Sequence, residues 1–362
     1  MLLRKLWLTD FRSYRSAEVA FSPGLTAVLG ANGQGKTNLL EAIGYLATLG
    51  SFRGAPTDAL VRAGAAQAVV RAEGEREGRE LLVEAEIVAG GRNRVQVNRQ
   101  RLQRTRDLLG ALRVTVFAPD DLALVKGGPA ERRRYLDDLL VSLHPRYDAL
   151  RNDVERVLRQ RNALLKQCAG GTRFDAAAST TLDVWDVKLA EAGEALARAR
   201  LDLVARLQPV LRGAYGAVAS QPGTDVAASY EVPWLGAGLA AALAAARADE
   251  LRRGVTLVGP HRDDLDLALS GLPARTHASQ GEQRSLSFAL RLAGHAVVTE
   301  ATETPPVLLL DDVFSELDPD RSDALLAHLP AGQTVLTSAA GLPPLADPDL
   351  VLRVDDAKVV EA

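Results

Sequence analysis

The sequence predicts an α/β protein of two lobes, one a mixed β-sheet lobe built from both chain ends and the other a helical lobe inserted between them. Three observations predict this class. Strand-like apolar runs fill residues 1–119 and return from residue 254, whereas residues 120–253 are mainly helical. An apolar run at Leu25–Leu29 leads through a glycine-rich turn into a helical pattern. A second run, Val307–Leu310, ends in two acidic residues, as a buried parallel strand would.

The composition is that of an ordinary globular protein, with 47% hydrophobic and 25% charged residues, which excludes a fibrous or wholly disordered chain. The net charge is −3, so any grip on nucleic acid needs a local basic patch. Cys168 is the single cysteine, which excludes an internal disulfide and a Cys-rich metal site. Because the N-terminus has no signal-peptide core and no apolar run approaches the roughly 20 residues of a membrane span, we expect a cytoplasmic protein without a membrane.

The elements follow in chain order from local patterns. Alternating or apolar runs predict the strands of the first lobe at Leu2–Leu8, Val19–Phe21, Leu25–Leu29, Ala68–Ala72, Leu81–Val88, Arg94–Val97 and Val114–Phe117. The pair Gly90-Gly91 predicts a hairpin turn. Helical spacing then predicts long helices on either side of a break at Gly170–Arg173, the second from about Thr181 to Arg212, and another at Leu239–Leu251. Beyond Gly254 the patterns predict strands at Val255–Val258, Leu265–Leu269, Val307–Leu310 and Thr334–Leu336, and helices at Ser279–Thr299 and Pro319–Leu329.

The strongest motif follows the strand at Leu25–Leu29. It fits G-x-x-x-x-G-K-[ST] and consists of Gly30, Ala31, Asn32, Gly33, Gln34, Gly35, Lys36 and Thr37, with Asn38 opening the helix. Glycines let backbone N–H groups surround phosphates, and the helix N-terminus adds positive potential. Lys36 can reach β- and γ-phosphates, and the Thr37 hydroxyl can ligate Mg²⁺. The motif therefore predicts a nucleoside triphosphate site.

The acidic pair at the end of Val307–Leu310 is Asp311 and Asp312. Ligands bind at the carboxyl ends of strands in α/β sheets. Asp311 is therefore predicted to hold Mg²⁺, and Asp312 to orient or deprotonate the attacking water. The alternative is a strand end capped by exposed acids before a turn.

A third motif opens the helix that begins near Ser279. The residues Ser279, Gln280, Gly281 and Glu282 can present a hydroxyl and backbone N–H groups to an anion. The same Ser-x-x-Glu spacing is also that of a capping box, so a purely structural role stays open at this point.

The order of four elements resembles that of ABC-type ATPases, a class of P-loop NTPases. The elements are the phosphate loop, the Ser-x-Gly-Glu helix, the apolar-Asp-Asp strand and the segment from Ser315 to Asp318. This last segment resembles the D-loop of the class, with Ser315 and Asp318 in it. Within that class the sequence is most similar to the bacterial RecF family of recombination-repair proteins. The further segments that carry this resemblance are Leu8–Tyr14, Gly30–Ala42, Phe117–Gly127, Arg132–Asp137, Val258–Asp264 and Ser279–Ser287.

The resemblance implies an ABC-type ATPase head that binds ATP and Mg²⁺, forms a homodimer on ATP, and is a weak DNA-dependent ATPase. It implies action with RecR and RecO in loading RecA at gaps, on duplex DNA and single/double-strand junctions. The residues carried over are Arg12 and Gly30 to Asn38 for the nucleotide, Thr37 and Asp311 for the metal, Lys36 and Asp312 for catalysis, and Ser279 to Glu282 in trans across the dimer.

Four departures from the wider class accompany the resemblance. Gln280 stands where many members have glycine, and Asp312 where most carry glutamate, so slow hydrolysis is expected. Thr337 and Ser338 replace the usual switch histidine, and the sequence identifies no Q-loop glutamine. The resemblance also suggests His261 and Arg262 near the same site, with an ordinary turn residue as the alternative for His261.

Basic clusters supply candidate DNA contacts, because sequence-independent binding is directed at phosphates. The candidates are Arg99, Arg101, Arg104, Arg132 and Arg133. The alternative for each cluster is a solvated helix face balanced by nearby acids. Two other functions stay open: the nucleotide-binding subunit of a transporter, against which the long helical insertion speaks, and a DNA clamp in which ATP joins two subunits without hydrolysis.

Overall fold

A computed structural model describes residues 1–169, 175–219 and 223–362. These residues form two compact units. Unit 1 comprises Met1–Leu122, Val210–Thr224 and Ser279–Ala362, and unit 2 comprises Ala123–Pro209 and Asp225–Ala278. The expected break at Gly170–Arg173 lies outside the described residues.

The strands are, in chain order, β1 (Leu2–Phe11), β2 (Tyr14–Ala20), β3 (Leu25–Leu29), β4 (Gln67–Arg76), β5 (Arg79–Val88), β6 (Arg94–Val97), β7 (Gln100–Arg101), β8 (Val114–Phe117), β9 (Val226–Glu231), β10 (Asp264–Leu269), β11 (Leu272–Pro273), β12 (Val307–Asp311), β13 (Thr334–Ser338), β14 (Leu350–Asp355) and β15 (Lys358–Glu361). The α-helices are α1 (Lys36–Thr48), α2 (Ala123–Lys126), α3 (Pro129–Leu143), α4 (Arg146–Cys168), α5 (Ala176–Val218), α6 (Leu239–Arg253), α7 (Ala274–His277), α8 (Gln280–Thr302) and α9 (Pro319–Ala327).

Unit 1 contains two six-stranded sheets. One is antiparallel, in the order β2-β1-β4-β5-β6-β7, and the other has the order β15-β14-β3-β13-β12-β8. In the second sheet β14, β3, β13, β12 and β8 run parallel, and only β15 pairs antiparallel. Every residue of β12 and β13 is buried, as expected for parallel strands covered on both faces. Because β13 lies between β3 and β12, the strands that precede the phosphate loop and carry the acidic pair end at the same edge.

Helix α1 packs against strands of both six-stranded sheets. Its side chains Leu39, Leu40, Ile43 and Leu46 are fully buried, and they belong to one hydrophobic core with residues of β1, β4 and β12. A helix that is apolar on nearly all sides is expected where it is covered from two directions. This packing fixes the helix that begins at Lys36 against the sheet that carries Asp311.

Unit 2 contains the sheet β11-β10-β9 together with helices. Two buried arginines connect its helices. Arg161 is fully buried and donates to Asp186 and Glu250, each at 2.7 Å. Arg200 makes two 2.8 Å hydrogen bonds to the carboxylate of Asp137. Breaking one partner of such a buried pair costs roughly 3–5 kcal/mol, because the other charge stays buried and unpaired.

The boundaries of the units differ from the prediction in two places. Residues 254–278 were expected in the sheet lobe, but they belong to unit 2 because β10 pairs with β9. Val210–Thr224 belongs to unit 1, and the division of α5 falls after Pro209, whose ring removes a helical hydrogen bond.

Three further differences concern single elements. The expected strand at Val255–Val258 is irregular, because the Thr256 backbone N–H donates to the Asn162 side chain at 2.8 Å instead of to a strand. Strand β9 was not predicted, and neither was the hairpin of β14 and β15 near the C-terminus. Among the described residues, no helix combines the length and the apolar character needed to cross a membrane.

Candidate functional site

The phosphate loop turns between β3 and α1 with two glycines in left-handed backbone conformations, Gly33 at φ +83° and Gly35 at φ +114°. A Cβ at Gly35 would lie 3.0 Å from the Tyr14 hydroxyl oxygen. That hydroxyl donates to the Gly35 carbonyl at 3.0 Å, and burial raises the pKa of Tyr14. Gly35 is therefore required both by its conformation and by the close approach of Tyr14.

Lys36 is 5% exposed and curls back over the loop. Its Nζ donates to the carbonyl oxygens of Gly30 at 2.7 Å and Ala31 at 3.0 Å. Burial lowers the pKa of Lys36, while the charges of Asp312 and Asp311 act in the opposite direction. The ammonium group therefore lies at the mouth of the loop, in the electrostatic field of the acidic pair.

The Thr37 hydroxyl and the carboxylate of Asp311 meet directly. Thr37 Oγ1 donates to Asp311 Oδ1 at 2.8 Å, and Thr337 Oγ1 donates to the same oxygen at 2.9 Å. Burial raises the pKa of Asp311, and these two hydrogen bonds oppose that shift. The structure thus brings together the two residues predicted to hold the metal, although Asp311 is 274 positions from Thr37.

Asp312 is the next residue and adopts a left-handed conformation with φ 48°. Its backbone N–H donates to Thr337 Oγ1 at 2.9 Å, and its Oδ1 accepts from the Ala339 N–H at 3.3 Å. Ser315, predicted in the D-loop, donates to the Asp312 carbonyl at 2.7 Å. A left-handed backbone is strained for a residue other than glycine, and these three hydrogen bonds hold Asp312 in it.

The segment that follows is anchored by Asp318. This residue caps α9, accepting from the Arg321 backbone N–H at 2.9 Å and from Arg321 Nη1 at 2.8 Å. Arg321 also covers the start of α8, since a Cβ at Gly281 would lie 2.5 Å from Arg321 Nη2. Gly281 is therefore needed for a close packing contact between the residues Ser279 to Glu282, here called the signature motif, and the residues after Asp318.

The signature motif forms the capping box that its spacing allows. Ser279 N–H donates to Glu282 Oε2 at 2.7 Å, and Glu282 N–H donates to Ser279 Oγ at 3.3 Å. The hydrogen bonds from Ser279 lower the pKa of Glu282. Ser279 and Gln280 are exposed, so the same helix start that is capped internally is also open to another molecule.

Arg12 and Asn38 were predicted to contact the nucleotide. The guanidinium of Arg12 makes two 2.7 Å hydrogen bonds to the buried carboxylate of Glu41 and donates to the Ala59 carbonyl at 2.8 Å. Asn38 Nδ2 donates to Ser13 Oγ at 2.9 Å. Only the remaining N–H donors of Arg12 are left for a nucleotide, so its main observed role is to hold α1.

Gln34 ties the phosphate loop to the hairpin of β14 and β15. Its side-chain Oε1 accepts from the Asp356 N–H at 2.6 Å, and its carbonyl accepts from the Ala357 N–H at 3.2 Å. Gly30 also packs closely against β14, since a Cβ at Gly30 would lie 2.3 Å from the Val354 carbonyl oxygen. The loop is therefore supported by the last two strands.

Two residues near the acidic pair were missed as site residues. Thr337 was noted only as a substitute for a histidine, yet its hydroxyl joins Asp311 to the Asp312 backbone. Arg53 is exposed and follows α1, and its charge lowers the pKa of Asp311. A lone arginine after a helix gives no motif, so the sequence offered no signal for Arg53.

Three of the predicted DNA contacts lie together on unit 1. Arg99, Arg101 and Arg104 are exposed, and within the described part of the chain none of them forms an ion pair. Arg101 also lines a 340 Å³ groove with Arg92 and Arg94. This unpaired positive surface has the character that phosphate binding needs.

The other candidates lie in unit 2 and have structural partners. Arg132 is buried and makes a bidentate pair with Asp264 at 2.8 and 2.6 Å, so it is not available to DNA and that prediction is corrected. Arg133 is half-buried and donates to the Asp263 carbonyl at 2.8 Å. His261 Nε2 lies 3.2 Å from the Thr256 carbonyl, and burial lowers the pKa of His261 to about 4.

The chain is similar to known proteins over most of its length. The family described as RecF/RecN/SMC N terminal domain matches residues 2–336. The "DNA replication and repair protein RecF" of Streptomyces avermitilis is 49% identical over 354 residues, covering 94% of both chains. The chain belongs to the RecF family. Family membership gives it a role in DNA replication, repair and recombination, and it excludes the transporter alternative.

Solved structures extend the comparison. The structure of the recombination mediator protein RecF with ATP, from the RecFOR pathway, is 28% identical, with a TM-score of 0.90 over 100% of this chain and 97% of that one. The Smc head domain of Pyrococcus furiosus has a TM-score of 0.58 at 17% identity, over 99% of this chain and 96% of that one, and shows the fold alone. The predicted α/β ATPase-head fold is confirmed for this RecF-family chain.

Proposed function

We propose that this RecF-family protein binds ATP with Mg²⁺, forms a homodimer around the nucleotide and hydrolyses it slowly while bound to DNA. The single observation that carries the proposal is the 2.8 Å hydrogen bond between Thr37 Oγ1 and Asp311 Oδ1. It brings a hydroxyl and a carboxylate together at the end of a glycine-rich loop, which supports an Mg²⁺–triphosphate site there. A loop with a purely structural role does not need this hydroxyl and carboxylate next to each other.

The donor set fits Mg²⁺. A hydroxyl and a carboxylate are hard oxygen ligands, and Mg²⁺ usually takes one or two protein oxygens and completes its shell with phosphates and water. In the described ranges no group of three or more His, Cys, Asp and Glu side chains forms a dedicated cage. When bound, the metal would neutralise charge on the phosphates, and Thr37 and Asp311 would hold it.

The chain's own residues divide the remaining work. Backbone N–H groups from Gly30 to Asn38, together with the start of α1, would surround the phosphates. Lys36 would leave the carbonyls of Gly30 and Ala31, which it contacts at 2.7 and 3.0 Å, and turn its charge to the β- and γ-phosphates. Asp312 would accept the proton of the attacking water or orient it.

Two features support slow turnover. The Asp312 side chain is shorter than the glutamate usual in the class, and its Oδ2 also lies 3.2 Å from Ser315 Oγ. A carboxylate that is both shorter and engaged by a neighbouring hydroxyl is less able to reach a water molecule. We propose a weak ATPase that DNA stimulates.

The second half of the site is proposed to come from a partner copy. Ser279 and Gln280 are exposed at the start of a 23-residue helix, and a helix N-terminus attracts anions. The start of α8 would then reach the γ-phosphate held by the other copy, with Gly281 and Glu282 shaping it and Ser315 and Asp318 beside it.

The partners proposed are those of a recombination mediator. DNA as duplex or single/double-strand junction would lie on the basic surface of Arg99, Arg101 and Arg104. The ATP-bound relative is a recombination mediator of the RecFOR pathway, and we propose that this chain acts there with RecR and RecO to help load RecA at gaps. A clamp that binds ATP without hydrolysis is the second candidate, favoured by the same weakness of Asp312.

The central test is the oligomeric state with and without ATP. Ser279→Arg should abolish ATP-dependent dimerisation in analytical ultracentrifugation while ATP binding, measured by calorimetry, stays within about twofold of wild type. Thr276→Arg is the matched control, because it adds the same side chain three positions upstream on an exposed residue. Dimerisation of the Ser279→Arg variant to the wild-type extent would refute the arrangement in trans.

A further inference from the structure

A 260 Å³ cavity in unit 2 is lined by none of the residues proposed to hold ATP or Mg²⁺. It lies where two segments that carry the family resemblance converge, Arg132–Asp137 and Val258–Asp264. Arg133 and Asp137 of the first segment line it, as do Pro260 and His261 of the second.

Most charges that line the cavity are neutralised by near neighbours. Arg200 is held by the carboxylate of Asp137 at 2.8 Å, and Arg151 pairs with Asp148 at 2.9 Å and Asp138 at 3.1 Å. Carboxylates of the protein itself therefore already pair with both arginines. The two arginines shape the cavity and do not by themselves require an anion.

Arg133 is different. It is half-buried. Within the described residues it makes one hydrogen bond, from Nη1 to the main-chain carbonyl of Asp263 at 2.8 Å. Burial, with the charge of Arg200 adding to it, lowers the pKa of Arg133, although Asp264 and Asp137 act in the opposite direction. A partly desolvated guanidinium without a hydrogen-bonded carboxylate is stabilised most by an acidic group that enters the cavity.

The remaining walls identify the chemistry of that group. Val154, Leu158 and Leu196 are buried apolar residues of the lining. Glu155 also lines the cavity, and Asp138 lies close by through Arg151. Such acids repel a polyphosphate chain along its length but tolerate one carboxylate placed against Arg133. A small, partly apolar cavity with one unmatched charge therefore fits an acidic residue beside an apolar side chain better than it fits DNA.

We propose that the Arg133 cavity is a docking site for a protein partner, which inserts a segment carrying a carboxylate next to a large apolar side chain. The carboxylate would accept from the free N–H donors of Arg133, and the apolar side chain would lie against Val154, Leu158 and Leu196. Binding would add the missing negative charge and would not require Arg200 or Arg151 to give up their carboxylates.

The test uses the full chain with methyl-labelled leucine and valine, titrated with acetyl-leucyl-glutamate amide and followed by NMR. The expected result is a set of shifts at the methyl groups of Val154, Leu158 and Leu196, with a Kd at least tenfold lower than that of the neutral acetyl-leucyl-glutamine amide. Equal affinity for the two dipeptides would overturn the proposal, and this comparison needs no variant protein.

Variants then assign the effect to Arg133. Arg133→Gln should remove the preference for the acidic dipeptide, and Arg133→Lys should restore part of it. Arg156→Gln is the control, because Arg156 lies on α4, is exposed and pairs with Asp153. Persistence of the preference in Arg133→Gln would refute the role of this residue. Displacement of the dipeptide by a short single-stranded oligonucleotide, or by a second copy of the chain at high concentration, would show another occupant and also refute the proposal.

Discussion

Thr37 and Asp311 are joined by a 2.8 Å hydrogen bond although they come from opposite parts of the chain. The hydroxyl of Thr337 donates to the same carboxylate oxygen at 2.9 Å. Two neutral hydroxyls thus donate to one oxygen of a buried carboxylate, and the charge of Arg53 also favours its ionised form. In the proposed function Thr37 and Asp311 would hold Mg²⁺, whose positive charge would favour the ionised form of this carboxylate.

Replacing Thr37 by valine should separate metal-dependent from metal-independent binding. Thr37→Val keeps the β-branched shape but removes the hydroxyl, so ATP affinity in Mg²⁺ should fall by about 10- to 100-fold, as loss of a hydrogen bond or ligand to a charged group implies. Affinity in EDTA should change little. Calorimetry in both buffers tests this, with Thr48→Val at the other end of α1 as the control. An equal loss in both buffers would contradict the metal role.

Replacing Asp312 by asparagine should decide between the ATPase and the clamp. Asp312→Asn keeps the size of the side chain but removes the proton acceptor, so turnover should fall by about 100-fold or more, while ATP-dependent dimerisation persists. Steady-state ATPase assays and sizing of the same sample measure both quantities. Asp320→Asn, an exposed acid on α9, is the control. Unchanged turnover would favour the non-hydrolytic clamp.

Replacing Arg53 should change the pH dependence of the reaction. The charge of Arg53 lowers the pKa of Asp311, whereas burial raises it. Without that charge the carboxylate should take up a proton at a higher pH, and Mg²⁺-dependent turnover should therefore begin to fall at a higher pH as the solution is acidified. A pH–rate profile of Arg53→Gln tests this, with Arg53→Lys expected to restore the profile and Arg79→Gln as the exposed control. If the pH–rate profiles of Arg53→Gln and wild type fall at the same acidic pH, the effect of Arg53 on Asp311 is ruled out.

Reversing three charges should identify the DNA surface. The combined change of Arg99, Arg101 and Arg104 to glutamate should weaken binding to duplex DNA and reduce the slope of log affinity against log salt by roughly two to three per copy. Glutamate at Arg156 and Arg159, which already pair with Asp153 and Glu155, should change the slope much less. Fluorescence anisotropy over a range of salt gives both numbers, and an unaltered slope in the triple variant would exclude this surface.

A buried histidine should make the fold sensitive to acid. His295 is 2% exposed, and burial lowers its pKa to about 4. In the unfolded state the pKa of His295 is about 6.5. Between pH 6.5 and pH 4 the unfolded state therefore binds more protons than the folded state. The stability present above pH 6.5 is lost as the pH falls toward 4. The loss by pH 4.5 should be roughly 2 kcal/mol from this residue. Urea unfolding of His295→Gln at pH 7 and 4.5 should show a smaller difference than wild type, whereas His328→Gln, which is exposed, should match wild type.

The sequence was informative wherever the chemistry is local. The phosphate loop, the strand that ends at Asp311 and the capping box at Ser279 are each contained within a few residues, so spacing and periodicity were sufficient to predict them. The mixed α/β lobe was predictable because its apolar runs are too short to form helices and therefore indicate strands.

Long-range pairings were not predictable in the same way. Arg132 looked like part of a basic cluster, but its carboxylate partner Asp264 is 132 positions away. The contact of Thr337 with Asp311 depends on β13 lying between two other strands, which no local pattern encodes. Strand β9 has only a weak alternation, and its assignment depends on pairing with β10. These features are set by topology, and a single sequence carries little information about topology.

The connection between Gln34 and the hairpin of β14 and β15 reaches beyond the loop itself. Because the Asp356 and Ala357 N–H groups donate to Gln34, the turn between β14 and β15 acts as a brace for the phosphate loop. Deleting the β14–β15 hairpin would remove both of these donors, so we expect such a deletion to disturb the conformation of the phosphate loop.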